Sequence, residues 1–300
     1  MKNILIVGTG ALATLFAARL AGDGAQVTLL GTWTEAIQAL NREGARLVLP
    51  NGETLQSAVR ATADPADCEK PDLALVLVKA WQTERAARQL ETILPEDGLA
   101  VTLQNGLGNR EILAARLGAG RVALGVTTSG ATLLGPGLAR LGGEGLISLE
   151  THPLSSVVQR RLNGAGFRVE VVREARALVW GKLVINSAIN PLTALFGLPN
   201  GALLEKPVIR WLMAALARET ARVAVAEGVA LPFPDPVSAV EDVARKTASN
   251  RSSMFQDVKR GAPTEIDAIS GAVVRRGKLR GQPVPLNWTM WRLVGGLGAG

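Results

Sequence analysis

The 300-residue sequence contains no tyrosine, one histidine (His152) and one cysteine (Cys68). Each scarcity removes a class of chemistry. Without tyrosine, a Tyr–Lys reductase mechanism is excluded outright. His152 lies in Glu-Thr-His-Pro ahead of a helical pattern and reads as a surface residue, which leaves a histidine-based hydroxy-acid dehydrogenase without its base. A lone cysteine in the polar stretch Asp64–Pro71 allows neither an intrachain disulfide nor a cysteine metal cluster, and favours a reducing compartment.

Long uninterrupted apolar runs are missing as well. The most apolar stretch, Ala177–Leu198, is broken by Lys182, Asn186, Asn190 and Pro191, so it reads as a buried helix and predicts no membrane partner. The start, Met-Lys-Asn-Ile-Leu-Ile-Val-Gly, enters a strand pattern with no signal-peptide core, from which a cytoplasmic protein is expected. Acidic residues are outnumbered, 26 against 33 Lys and Arg, for a net charge of +7. The arginines are scattered, with no basic helix face and no aromatic–basic interleave. No nucleic-acid partner is expected, and an anionic cofactor and substrate suit the surplus.

What is present is a globular composition, 47% hydrophobic and 20% charged, in a chain long enough for two domains. Asn3–Val7 is a continuous apolar run, Ala11–Ala21 a helical pattern and Gln26–Leu30 a second buried strand, which makes a βαβ unit. Further strands at Asp72–Val78, Leu99–Leu103 and Val122–Val126 alternate with helices starting near Trp81 and Asn109, the signature of a parallel sheet. Between Arg46 and Ala61 an Asn-Gly turn predicts a hairpin inserted in the wound sheet, and Gly130–Gly145 reads as extended arms and turns.

Beyond about Arg173 the pattern becomes long helices: Glu174–Asn190, Lys206–Glu227 stopped by Gly228, Val237–Ser249, and Glu265 to about Lys278. The expected fold class is α/β, a Rossmann-type doubly wound parallel sheet over residues 1–172, followed by an all-helical domain over residues 173–300 that carries substrate and catalysis. The glycine-rich last six residues are expected to fray.

Gly8-Thr9-Gly10-Ala11-Leu12-Ala13 matches the dinucleotide fingerprint G-x-G-x-x-G/A directly after a strand and at the opening of a helix. Gly8 permits the tight turn, Gly10 lets backbone approach the pyrophosphate, Ala13 allows close helix–strand packing, and the helix N-terminus receives the negative charge. At the end of the second strand an acid normally receives the ribose 2′-hydroxyl, or an arginine a 2′-phosphate. Here stands Gly31-Thr32-Trp33-Thr34 with neither marker. The missing carboxylate and the hydroxyls of Thr32 and Thr34 favour NADP, with NAD left open; a helix N-cap before Glu35 is the plainer alternative for the threonines.

Lys182, Asn186 and Asn190 recur every four residues along one face of an otherwise apolar helix, with Pro191 ending or bending it. Burying a lysine and amides costs several kcal/mol unless partners or a ligand satisfy them. A ligand is one explanation; a satisfied polar network or an exposed stripe is the other. Downstream lie Ser249-Asn250-Arg251-Ser252-Ser253-Met254 and Pro263-Thr264-Glu265-Ile266-Asp267, where Thr264 and Asp267 are open to a capping role.

Together with the glycine loop, Val-Lys-Ala-Trp-Gln at 78–82, Gln-Asn-Gly-Leu-Gly at 104–108, Lys-Leu-Val-Ile-Asn-Ser-Ala-Ile-Asn-Pro-Leu-Thr-Ala at 182–194, Ser-Ser-Met at 252–254 and Thr-Glu-Ile-Asp at 264–267 resemble the ketopantoate reductase family, in order, over residues 1 to about 290. The resemblance implies reduction of the small 2-oxo acid ketopantoate to pantoate with NADPH, in pantothenate and coenzyme A biosynthesis, by a monomer or homodimer. By that resemblance Lys182 matches the proton donor. Asn186, Asn190, Asn200, Asn250 and Ser253 match substrate-binding positions. Lys79, Asn105, Ala131 and Glu265 match positions near the cofactor, with Asn105 also reaching substrate and Glu265 the lysine. The sequence departs from the family at Gly31-Thr32-Trp33, where an arginine for the NADPH phosphate is common. Two other readings remain: a related reductase of another 2-oxo acid or imine, and a non-catalytic dinucleotide-sensing module.

Overall fold

The computed structural model of the chain describes residues 1–297. It divides into two compact units, one formed by Met1–Gln104 with Asn109–Ala175, the other by Asn105–Gly108 with the chain from Arg176 onward.

The first unit opens with β1 (Asn3–Val7), α1 (Ala11–Gly22), β2 (Gln26–Leu30) and α2 (Thr34–Glu43). β3 (Ala45–Val48), β4 (Thr54–Ser57), β5 (Arg60–Thr62) and β6 (Leu73–Val76) follow, then α3 (Thr83–Ile93), β7 (Leu99–Thr102) and α4 (Asn109–Leu117). β8 (Val122–Thr127), β9 (Gly130–Gly135), β10 (Leu138–Gly143), β11 (Leu146–Glu150), α5 (Ser155–Gly164) and β12 (Arg168–Val172) complete it.

The main sheet has the order β12-β11-β8-β7-β6-β1-β2-β5. Its strands are parallel from β5 to β8, whereas β11 runs antiparallel to β8 and carries β12 parallel to itself. The all-apolar strands are explained by burial: β6 and β7 are covered on both faces, so every residue in them is apolar or, in Thr102, hydrogen-bonded. Because the chain leaves β1 toward β2 on one side and reaches β6 on the other, the order reverses between β1 and β6, which is where open α/β sheets bind dinucleotides.

The predicted hairpin forms, with β3 and β4 antiparallel, but it does not join the wound sheet. It pairs through β3 with β10, whose own hairpin with β9 accounts for the glycine-rich segment, giving a second sheet of order β4-β3-β10-β9. His152 is half-buried, its Nε2 2.8 Å from the Gly120 carbonyl and its Nδ1 accepting from Leu154 N–H at 3.1 Å, so it ties a turn.

The second unit is helical: α6 (Arg176–Phe196), α7 (Ala202–Glu205), α8 (Pro207–Ala226), α9 (Pro236–Lys246), α10 (Ser253–Lys259), a π-helical turn at Asp267–Gly271, α11 (Ala272–Leu279) and α12 (Pro285–Leu297). Val184, Ala188 and Leu192 of α6 pack on Met213, Leu216 and Ala217 of α8 in one buried cluster. Pro191 does not end α6, which continues for more than a turn to Phe196; apolar packing on both sides outweighs the one backbone hydrogen bond a proline removes. At the C-terminus Gly295 to Leu297 are the last turn of α12, whereas residues 298–300 of the glycine-rich tail lie outside the described residues. Among the described residues no helix is long and apolar enough to cross a membrane.

The short segment Asn105–Gly108 is held in the second unit by backbone contact. Leu107 N–H donates to the Ala268 carbonyl at 3.1 Å, and Gly106 has φ of +84°. A Cβ at Gly106 would lie 2.4 Å from that same carbonyl oxygen. Gly106→Ala therefore meets both a left-handed backbone, a cost of about 1–2 kcal/mol, and a backbone clash. It should lower the melting temperature by several degrees in a thermal scan, and an unchanged melting point would show that the close approach is dispensable.

Candidate functional site

The glycine loop sits at the C-terminal end of β1, beside the point where the sheet order reverses. Gly8 has φ of +133°, its N–H donates to the Leu30 carbonyl at 2.8 Å, and a Cβ there would come within 3.2 Å of the Leu77 carbonyl carbon and oxygen. Gly10, the N-cap of α1, would point a Cβ into open space. No side chain caps α1 and no acid lies in its first turn, so its N–H groups face that space with a positive dipole. Thr9 and Ala13 are buried, Ala13 fully. Residues Gly8 to Ala13 thus form a cradle that fits a pyrophosphate: room at Gly10, donors at the helix start and no negative charge to oppose it.

At the end of β2, a side chain at Gly31 would have to displace Thr9, since a Cβ there would fall 2.6 Å from Thr9 Cγ2. Thr32 is exposed. Trp33 is the N-cap of α2, and neither Thr32 nor Thr34 caps the helix with its side chain, which removes the plainer reading of these threonines. The sequence reading overlooked Arg85 of α3, whose guanidinium Nη1 lies 3.4 Å from Thr32 Oγ1. Lys79, half-buried just past β6, begins a 3₁₀ turn in which its N–H donates to Gln82 Oε1 at 3.3 Å. Ala131 lies on β9 of the second sheet, paired with Leu141.

In the second unit, Lys182, Asn186 and Asn190 lie along α6, at successive turns of one face. Lys182 and Asn186 are half-buried and Asn190 is 7% exposed. Glu265, 5% exposed, precedes the π-helical turn, and Asn105 Nδ2 donates to its Oε2 at 3.1 Å. Burial pulls the Lys182 ammonium down from 10.5 to about 8, while the charge of Glu265 pulls the other way. A lysine, a carboxylate and an amide more than 75 residues apart in sequence are thereby assembled in one cluster.

The remaining predicted substrate residues surround the end of α6. Thr193 Oγ1 bonds the Asn190 carbonyl at 2.9 Å and lies 2.6 Å from Ser252 Oγ, and Ser252 caps α10 by accepting from Phe255 N–H. Ser253 is the first residue of that helix. Asn200 Nδ2 donates to Thr247 Oγ1 at 2.9 Å and its N–H to the carbonyl of exposed Asn250, so both asparagines belong to one tied turn; Asn200 Oδ1 is buried without a protein partner. Thr264 Oγ1 receives a long 3.4 Å bond from Ile266 N–H, and Asp267 is taken by Arg275, so the two do not form a capping box.

Comparison with known proteins identifies the family. Residues 4–153 match the family model Ketopantoate reductase PanE/ApbA, and residues 174–298 match Ketopantoate reductase PanE/ApbA C terminal. A 2-dehydropantoate 2-reductase of Halobacterium salinarum is 36% identical over 97% of this chain and 97% of its own, and one of Archaeoglobus fulgidus is 35% identical over 100% and 99%. The crystal structure of a PanE/ApbA family ketopantoate reductase from Ralstonia eutropha superposes with a TM-score of 0.92 at 33% identity, covering 98% of both chains. A ternary structure of D-mandelate dehydrogenase with NADH and anilino(oxo)acetate gives 0.91 at 25% identity, also over 98% of both chains. With both units matched in order and relatives alike over their full length, the chain belongs to the ketopantoate reductase family of oxidoreductases.

Proposed function

We propose that this chain is a cytoplasmic 2-dehydropantoate 2-reductase, reducing ketopantoate to pantoate with NADPH on the route to pantothenate and coenzyme A. The observation that carries the reading is the Lys182 ammonium, partly desolvated on α6 and faced by the Glu265 carboxylate. Residues 1–172 take the dinucleotide-binding role and residues 173–300 the substrate role. Gly8 to Ala13 and Lys79 would hold the cofactor, which supplies the hydride when bound. Asn105, Ala131 and Glu265 would lie near it.

Reduction of a ketone leaves negative charge on oxygen, so the site needs a cationic donor at that oxygen. Lys182 supplies the charge and then the proton. Glu265 keeps the ammonium charged against its burial, and Asn105 holds Glu265 through the 3.1 Å bond. Asn186, Asn190, Asn200, Asn250 and Ser253 offer donors and acceptors for the carboxylate and hydroxyl of the substrate. NADP is favoured over NAD because no carboxylate stands at positions 31–34 and Thr32 is an exposed hydroxyl.

A second reading, reduction of another 2-oxo acid, draws on the likeness to D-mandelate dehydrogenase. Side-by-side assays with ketopantoate and with benzoylformate, following NADPH absorbance, decide between them: ketopantoate should be the better substrate by kcat/KM, and the reverse order would reassign the substrate.

Two further outcomes test the lysine. Lys182→Ala should lower kcat by about 10²- to 10⁴-fold with NADPH affinity nearly unchanged in a fluorescence titration, and wild-type turnover would remove Lys182 from the chemistry. Because the active form is the charged ammonium, kcat/KM should fall as pH rises through about 8. Glu265→Gln withdraws the attraction that raises the lysine, so the same alkaline limb should move to lower pH. A limb that stays in place would mean that Glu265 does not set the charge of Lys182.

A further inference from the structure

Resting on the NADPH reading, we propose that Arg85, from the first turn of α3, is the residue that recognises the 2′-phosphate of the cofactor, together with Thr32. The arginine that usually follows the second strand of such a fold is absent from positions 31–34. A guanidinium is nevertheless brought to that place from another element, with Nη1 3.4 Å from Thr32 Oγ1.

The ion pairs of α3 distinguish Arg85 from its neighbours. Glu84 points to Arg88 and to Arg116, and Arg116 also takes Glu91. Among the described residues no carboxylate pairs with Arg85; its only hydrogen bond is the long one to Thr32, and its buried Nε has no partner. A half-buried guanidinium that spends its donors on a single hydroxyl has unused capacity for an anion, and phosphate matches its fork geometry.

The surroundings supply the rest. Thr32 is exposed and its hydroxyl can turn to donate. α2 begins two residues on, at Thr34, and no side chain caps that helix, so its first N–H groups are open to the same anion. The one opposing charge in that first turn is Glu35, which is exposed. The ligand class is a ribose 2′-phosphate, and Arg85 acts on which dinucleotide binds rather than on the reaction itself.

Calorimetric binding of NADPH, NADH, 2′,5′-ADP and 5′-AMP to the intact protein tests this, because each pair differs only by the 2′-phosphate. Wild type should prefer NADPH and 2′,5′-ADP, and Arg85→Gln should weaken those two by about tenfold or more while leaving NADH and 5′-AMP nearly unchanged, the loss expected of a charge-assisted pair. Arg85→Lys should recover part of the loss. Retained NADH binding in Arg85→Gln also shows that the variant is folded. Equal weakening of all four ligands would make Arg85 structural and overturn the inference. A preserved preference for NADPH in Arg85→Gln would overturn it while leaving the NADPH reading intact, and a wild type that prefers NADH would overturn both.

Discussion

A lysine ammonium partly removed from water is the constraint around which the second unit is organised. Desolvation favours the neutral amine, and only a nearby negative charge restores the cation. Glu265 supplies that charge, but it is itself buried, and a carboxylate in that setting needs hydrogen-bond donors. Asn105 provides one at 3.1 Å. Asn105 in turn reaches the helical unit only because Gly106 adopts a left-handed backbone and lets the chain run against Ala268. One charge thus calls for a carboxylate, the carboxylate for an amide, and the amide for a glycine.

The long helix α6 serves this chain of dependence in two ways. Its apolar side, with Val184, Ala188 and Leu192, packs on α8 and fixes the helix. Its polar face places Lys182, Asn186 and Asn190 at successive turns on a rigid support, so their spacing is set by helix geometry rather than by loop conformation. Rigid presentation matters for a donor whose target is a single oxygen atom.

Much of this is legible in the sequence. Short, largely apolar runs locate β1, β2, β6 and β7, since strands covered on both faces leave little alternative composition. The four-residue rhythm of Lys182, Asn186 and Asn190 exposed the polar face of α6 for the same reason. What escaped was whatever depends on distant segments meeting. The β3–β4 hairpin was legible from Asn51-Gly52, but its pairing with β10 was not, because edge-to-edge register is written in neither strand alone. Pro191 reads as ending or bending the helix; it does not end it, because local rules ignore tertiary packing. Arg85 was passed over because it arrives at Thr32 from more than fifty residues away, whereas the fingerprint rule searches only the loop after the second strand.

The affiliation of Asn105–Gly108 has a bearing on modularity. These four residues are embedded in the sequence of the sheet-bearing unit yet pack with the helical one. No single cut therefore separates the chain into two self-sufficient fragments. A helical fragment begun at Arg176 would lose the amide that holds Glu265, and grafting this helical half onto another dinucleotide domain would succeed only if the recipient carried an equivalent Asn-Gly-Leu-Gly strap. Recombination in such a chain must transfer two discontinuous pieces together, which ties the inheritance of the two halves to each other.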